Sequence, residues 1–266
     1  MITFNHSGNL GDILYSLYFC KELSEAHKFK QFNLNLQINV PDGDAKLNNH
    51  PFGAVRLTKD AAMFIKPILE SQPYIHNVFI NENIPSESFV LDNFRRLRIN
   101  FFSGDLRSWY YNLTGDILPR EFWKPILTTK PNKKYQDKII LIATERYQNP
   151  FIDYNCLQQF KDKIIFMGLP NEYNIFCTKY FSIDFCKVNS LEEVAQYMAG
   201  CKCVIGNPSG LYSVAECLKV PRILVQPEFM SYQNSITRGP VNVHPLGGNN
   251  TAVSTTEKLL YTVNNI

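Results

Sequence analysis

The sequence has no run approaching the ~20 apolar residues that a helix needs to cross a membrane, so no membrane span is expected. Its start, Met1-Ile2-Thr3-Phe4-Asn5-His6, lacks a basic stretch followed by an apolar one, which argues against a signal peptide. None of the seven cysteines (Cys20, Cys156, Cys177, Cys186, Cys201, Cys203, Cys217) forms a CxxC pair, and the odd number fits no closed disulfide framework. Reduced, mostly buried thiols in a cytoplasmic protein are expected. An excess of one charge is also missing. Net charge is +3, too little for duplex binding through many phosphate contacts, although a polyanionic acceptor stays compatible. His50, His76 and His244 have no metal-ligand spacing, and the chain has no internal repeat or low-complexity tract. What is present is ordinary for a soluble globular protein: 266 residues, 45% hydrophobic and 19% charged, enough for one large domain or two of about 130 residues.

Residues 2–4 read as a short strand. Ser7-Gly8-Asn9-Leu10-Gly11 is then a turn into a helix starting near Asp12, because Ile13, Leu14, Leu17, Tyr18 and Leu23 recur at helical spacing. Residues 34–40 alternate strictly, which predicts a strand buried on one face only. A helix over 61–69, despite Pro67, a strand over 78–80 and an aromatic, arginine-bearing region over 89–111 follow. The polar, proline-bearing stretch 128–134 reads as an interdomain linker. Beyond it, strands at 139–143, 164–167, 203–205 and 222–225 alternate with helices near 154–160, 191–198 and 210–218. This order predicts an α/β protein of two compact Rossmann-like domains facing a cleft, residues 1–130 and 131–266, with the last helix free to pack back on the first domain. Open parallel sheets bind ligands beyond the carboxyl ends of their strands.

Two loops have that setting. In Asn207-Pro208-Ser209-Gly210, Pro208 has no amide to satisfy, Ser209 offers a capping hydroxyl and Gly210 an unobstructed backbone. Free amides at the positive end of a helix dipole suit a phosphate or diphosphate, and an ordinary capped turn would carry the same residues. In Gly8-Asn9-Leu10-Gly11-Asp12 the full GxGxxG pattern is absent. Asp12 stands where a carboxylate could act as general base in the cleft, or could cap its own helix.

Together the loops carry a family resemblance. Ser7 to Leu17 resembles the amino-terminal signature of heptosyltransferase-like glycosyltransferases of the GT-B fold. Leu191-Glu192-Glu193-Val194-Ala195, Gly206-Asn207-Pro208-Ser209-Gly210-Leu211 and Ala215-Glu216-Cys217-Leu218-Lys219-Val220-Pro221 follow the family's second-half order. The resemblance implies sugar transfer from a nucleotide-sugar co-substrate to an acceptor hydroxyl, inverting and without metal or other cofactor, with Asp12 as base. It implies donor contacts from Gly11, Thr144, Arg146, Gly168, Glu172, Asn207, Ser209, Gly210, Leu211 and Glu228, and acceptor contacts from His6, Asn9, Arg95, Arg107 and Trp109. Pro208 stands where the family usually has Asp, and Ser213 where it usually has His. A non-catalytic nucleotide- or sugar-binding protein of the same fold is the alternative.

Asn93-Phe94-Arg95-Arg96-Leu97-Arg98, with Arg107, Trp109 and Tyr110, could grip phosphates and stack on bases. It extends the expected acceptors from a saccharide to a modified base in DNA. An amphipathic segment with arginines in water fits the same pattern. Asp42-Gly43-Asp44 resembles a metal-binding DxD but also reads as a turn. The oligomeric state is open.

Overall fold

Phe4, Phe32, Leu34 and Leu36 are wholly buried on one face of a sheet whose helices cover them. In a computed structural model the chain is described over residues 1–41, 55–97, 106–115, 118–225 and 250–266. The first sheet contains β1 (Thr3–His6), β2 (Phe32–Gln37), β3 (Ile75–Asn81) and β4 (Phe89–Val90) in the order β3-β2-β1-β4. Between these strands lie α1 (Leu10–Ala26) and α2 (Lys59–Glu70), and α3 (Leu106–Tyr111) follows. The second sheet contains β5 (Ile139–Ile142), β6 (Ile164–Phe166), β7 (Asp184–Phe185), β8 (Cys203–Gly206), β9 (Arg222–Val225) and β10 (Asn250–Val253). Its order is β10-β9-β8-β5-β6-β7, with α4 (Pro170–Lys179), α5 (Leu191–Gly200), α6 (Gly210–Leu218) and α7 (Thr256–Asn264) around it. All these strand pairings are parallel, so each needs a crossover, and helices supply most of them.

The run of apolar residues in β5 and β8 follows from burial on both faces. Ile140, Ile142 and Val204 face a core that continues through α5, α6 and α1 to the first sheet. Ile139, Leu141, Cys203 and Ile205 face a separate core on the far side. Helix α1 is buried between the first sheet and α6, which leaves it few polar positions: even Ser16, Glu22 and Ser24 are inside.

Four expectations need correction. Strand β2 is not buried on one face only: Asn35 is fully buried in an amide ladder that crosses the sheet. Asn81 Nδ2 donates to Asn35 Oδ1 (2.6 Å), Asn35 Nδ2 to Asn5 Oδ1 (2.7 Å) and Asn5 Nδ2 to Gln37 Oε1 (3.1 Å). The stretch over 128–134 is strapped down rather than free, since the Thr128 amide donates to Gln72 Oε1 (2.9 Å), Thr129 Oγ1 to Glu192 Oε1 (2.8 Å) and the Asn132 amide to the Gln196 carbonyl (2.9 Å). Residues 154–163 form a 3-10 helix rather than an α-helix, and the unassigned α4 has Pro170 at its first turn with Glu172 two residues on. The last helix does not return to the first half, because Leu259 and Val263 enter the far core of the second sheet.

Candidate functional site

Helices α1 and α6 lie parallel, amino end beside amino end. A Cβ on Gly11 would stand 2.7 Å from Ser213 Oγ, and one on Gly210 would stand 3.1 Å from Leu10 Cβ. One turn further along, Cys217 Sγ lies 3.9 Å from the Leu14 carbonyl oxygen. The glycines allow the backbones to approach this closely. Two parallel dipoles placed side by side repel, and an anion at their shared amino end relieves both. Asp12, in the first turn of α1, is one such charge.

The Asp12 carboxylate accepts from Arg95 Nη2 at 2.6 Å. Arg95 comes from the 3-10 turn Leu91–Arg96 that follows β4; its guanidinium lies over the Phe94 ring, and its Nε is 3.5 Å from Asp92 Oδ1. Asp92 also accepts the Ser7 amide at 2.7 Å, so one carboxylate holds both the loop leading to Asp12 and the arginine on it. Burial works against both charges. Even so, the His6 ring, the Ser7 amide and Arg95 bring the Asp92 pKa below its ordinary value, and Asp12, Tyr110 and Asp92 raise that of Arg95.

His6 acts from beneath. The Gly8 amide donates to its Nδ1 (2.8 Å), which leaves the proton on Nε2, 2.8 Å from the Tyr110 hydroxyl. Tyr110 then donates to the Asp12 backbone carbonyl (3.0 Å). Burial lowers the His6 pKa and favours this neutral ring.

At the carboxyl ends of β5 and β8, a small hollow is lined by Thr144, Glu145, Tyr154, Glu172, Lys179 and Asn207, among others. The Asn207 side chain is occupied in holding this rim together: Oδ1 accepts from the Thr144 amide (3.0 Å) and hydroxyl (3.1 Å), and Nδ2 donates to the Thr144 carbonyl (2.7 Å). Glu172 accepts the Leu169 amide (2.9 Å), and a Cβ on Gly168 would meet Glu172 Oε2 at 2.9 Å. Burial raises the Glu172 pKa. Ser209 Oγ caps α6 by accepting the Tyr212 amide (3.1 Å), so the leading amides of Gly210 and Leu211 are the ones without an intrahelical acceptor.

The structure therefore brings Asp12, Asn9, Arg95 and the Ser209-Gly210-Leu211 cap to one region, with Thr144, Glu172 and Asn207 on the neighbouring rim. Asn9 Oδ1 is buried and has no hydrogen-bond partner among the described residues. Arg146 lies in the 3-10 turn Glu145–Tyr147 beside that rim. Several expected contacts have other tasks. Gly11 packs under Ser213, which accounts for a glycine at this position without a ligand. His6 is fully buried and cannot line an acceptor pocket. Arg107 is fully buried too, with Nη1 3.0 Å from Glu216 Oε1 and its guanidinium over the Phe122 ring. Trp109 is half-buried and packs on Phe94, and Arg95 holds Asp12 rather than facing an acceptor alone. Arg107, Phe94 and Tyr110 of this pattern are thus internal, while Arg95 and Arg96 are exposed. Glu228, Arg98 and Asp42-Gly43-Asp44 lie outside the described residues. Among the described residues, no three His, Cys, Asp or Glu side chains group as metal ligands would. Asp92, absent from the sequence reading, is the principal addition, and Tyr110, read there as a stacking surface, instead supports the Asp12 backbone.

No protein-family model matches the chain, and no curated protein matches its sequence. Solved structures do match its shape. The E. coli ADP-heptose lps heptosyltransferase II aligns with a TM-score of 0.64 at 14% identity, over 99% of this chain and 97% of that one. The glycosyl transferase family 9 protein from Veillonella parvula DSM 2008 aligns at 0.60 and 11% identity, over 100% and 89%. E. coli heptosyltransferase WaaC, solved with ADP-2-deoxy-2-fluoro heptose, aligns at 0.55 and 12%, over 99% of each chain. The fold is that of the family 9 heptosyltransferases. Within this heptosyltransferase-like fold, Ser213 acquires a physical reason: it is 3% exposed under Gly11, where an imidazole would collide with α1. Among the described residues, no helix is long and apolar enough to cross a membrane.

Proposed function

We propose that the protein is a glycosyltransferase that moves a sugar from a nucleotide-sugar donor to the hydroxyl of a saccharide acceptor. The observation that carries this reading is the shared amino end of α1 and α6, with Asp12 in the first turn of one and the free amides of Gly210 and Leu211 opening the other. The donor's diphosphate would sit against those amides, and its nucleoside would lie along the rim of Thr144 and Glu172. Asp12 would take the proton of the acceptor hydroxyl as its oxygen attacks the anomeric carbon. The bond from that carbon to the diphosphate breaks with its electron pair leaving on the nucleoside diphosphate, so a single displacement inverts the centre. Helix amides aimed at the departing charge supply stabilisation that needs no metal. Neighbours named for ADP-heptose support the donor class, and the pairing of Arg95 with Asp12 and of buried Arg107 with Glu216 weighs against a DNA acceptor.

The Arg95–Asp12 ion pair supports a second reading, a binding protein whose carboxylate is permanently engaged. A thermal-shift screen against UDP-, ADP-, GDP- and CMP-linked sugars, followed by transfer assays, separates the two. A donor that raises the melting temperature and is turned over by the native chain but not by Asp12→Asn supports the enzyme. Stabilisation without turnover supports the binding protein, and turnover unchanged in Asp12→Asn removes the base.

A further inference from the structure

Asp12 is held from three sides, and the three holds meet at one residue. Its carboxylate oxygen Oδ2 accepts from Arg95 Nη2 (2.6 Å), while among the described residues no donor reaches Oδ1. Its backbone carbonyl accepts the Tyr110 hydroxyl (3.0 Å), and the loop that leads into it is tied down at the Ser7 amide. Each of these lines runs back to Asp92. Asp92 Oδ2 accepts the Ser7 amide (2.7 Å), and its Oδ1 lies 3.5 Å from Arg95 Nε. The line through Tyr110 passes to His6, whose Nε2 is 2.8 Å from the Tyr110 hydroxyl and whose Nδ1 is 3.8 Å from Asp92 Oδ2. Arg56 stands on the far side, 3.9 Å from Asp92 Oδ1.

The side chain of Asp92 is only 13% exposed, and a carboxylate so far out of water is tolerated only beside partners. A neutral asparagine could accept the Ser7 amide as well. What the negative charge adds is its pull on the cations. Arg95 ends a long side chain with many rotamers, yet the Phe94 ring beneath it and a carboxylate on either side leave its guanidinium one place to lie. From that place it meets Asp12 through Oδ2 alone.

We propose that Asp92 is the positioning residue for Asp12: it fixes Arg95 against Oδ2 and so leaves Oδ1 as the oxygen that takes the proton of the acceptor hydroxyl. Asp92 touches no reacting atom and acts only through Asp12. This rests on the transferase reading and names, within it, the group that sets the direction of the base. A base displaced by about 1 Å can cost about 100-fold in rate, whereas donor contacts on α6 and the rim of the second sheet do not involve Asp92.

The test is steady-state transfer by Asp92→Asn, well below its unfolding temperature, with the UDP-, ADP-, GDP- or CMP-linked sugar that the native chain turns over. The kcat should fall by about tenfold or more while the donor KM stays within about twofold. Arg95→Gln, at an exposed position, should show the same split, and carries the test should Asp92→Asn not fold. Because both residues act through one carboxylate, the double variant should be no more than about twofold slower than the slower single one. An unchanged kcat with a lowered melting temperature makes Asp92 a purely structural residue, and a raised donor KM with kcat kept makes it a donor contact. A raised kcat in Arg95→Gln makes the arginine a mask on the base. Each of these three results overturns the proposal while leaving the transferase reading intact. Absence of turnover by the native chain with every donor removes that reading, and the positioning role with it.

Discussion

Replacing Gly11 by alanine tests the close approach of α1 to α6. The new methyl would stand 2.7 Å from Ser213 Oγ, well inside contact distance, and Ser213 cannot turn aside freely because its hydroxyl donates to the Ser209 carbonyl (3.0 Å). Overpacking of this kind costs about 1–3 kcal/mol. Alanine is a better helix former than glycine by up to about 1 kcal/mol, which offsets part of that cost. Gly11→Ala should therefore lose about 1–2 kcal/mol, or roughly 2–8 °C in Tm at about 2–4 °C per kcal/mol for a chain of this size. In Ser213→Ala the obstructing oxygen is gone, and the nearest atom to the new methyl is the residue-213 Cβ at 3.7 Å, an ordinary contact. The same glycine substitution should then be neutral or stabilising, giving a coupling of about 2 kcal/mol in a double-mutant cycle measured by urea unfolding. Equal losses from Gly11→Ala in both backgrounds would refute the packing explanation and return Gly11 to the list of ligand contacts.

Other consequences follow from the buried charges. Glu216→Gln leaves Arg107, Arg222 and Lys219 crowded without their anion, and should cost about 3–5 kcal/mol in urea unfolding; Arg107→Met, which leaves Glu216 two cations, should cost clearly less. Burial holds the His6 pKa below its ordinary 6.5, so the unfolded chain binds the proton more readily. Stability is then complete above about pH 6.5 and falls as the pH drops toward the folded value, and His6→Gln should flatten that segment of a urea-midpoint profile. A further loss belongs to Asp92 and Glu216. Their charged partners outweigh burial and lower both pKa values, so their contribution is present above the ordinary carboxylate range and disappears as the pH falls through the lowered values. Transfer activity found in the donor screen should survive excess chelator, and loss of activity on chelation, restored by a divalent cation, would displace the helix amides as the chief stabiliser of the leaving group.

Much of the fold could be read from local signals. Gly210–Leu218 and Arg222–Val225 stand where cap chemistry and apolar runs put them, because those signals lie within a few residues of the elements they specify. Helix α4 has a local signal as well, Pro170 in its first turn and Glu172 reaching back to the Leu169 amide, but its weakly apolar sequence gives no clear helical spacing. The site was less legible. Arg107 looks like a surface charge until its partner, 109 residues away, is known, and the support of Asp12 comes from Asp92, Arg95 and Tyr110, 80 or more residues distant. Charge and hydrogen-bond complementarity across such separations leaves no periodicity in a single sequence. The functional alternatives for Gly11 and Ser209 were equally undecidable, since a packing glycine and a capping serine occupy the same motif as phosphate contacts.

The amide ladder of Asn81, Asn35, Asn5 and Gln37 carries a consequence for how this sequence can change over generations. Asn81 on β3 donates to Asn35 on β2, Asn35 to Asn5 on β1, and Asn5 back to Gln37 on β2, so Asn35 and Asn5 are each both donor and acceptor. Replacing Asn35 alone with a leucine, a residue its neighbours Leu34 and Leu36 make look harmless, strands the buried Asn5 oxygen with nothing to bond and leaves the Asn81 nitrogen to water. Exchanging the rungs together for apolar side chains of similar volume removes donors and acceptors in matched numbers and carries far less penalty. The ladder is therefore inherited as a block: single steps away from it run uphill, and lineages that have lost it should have lost several rungs at once.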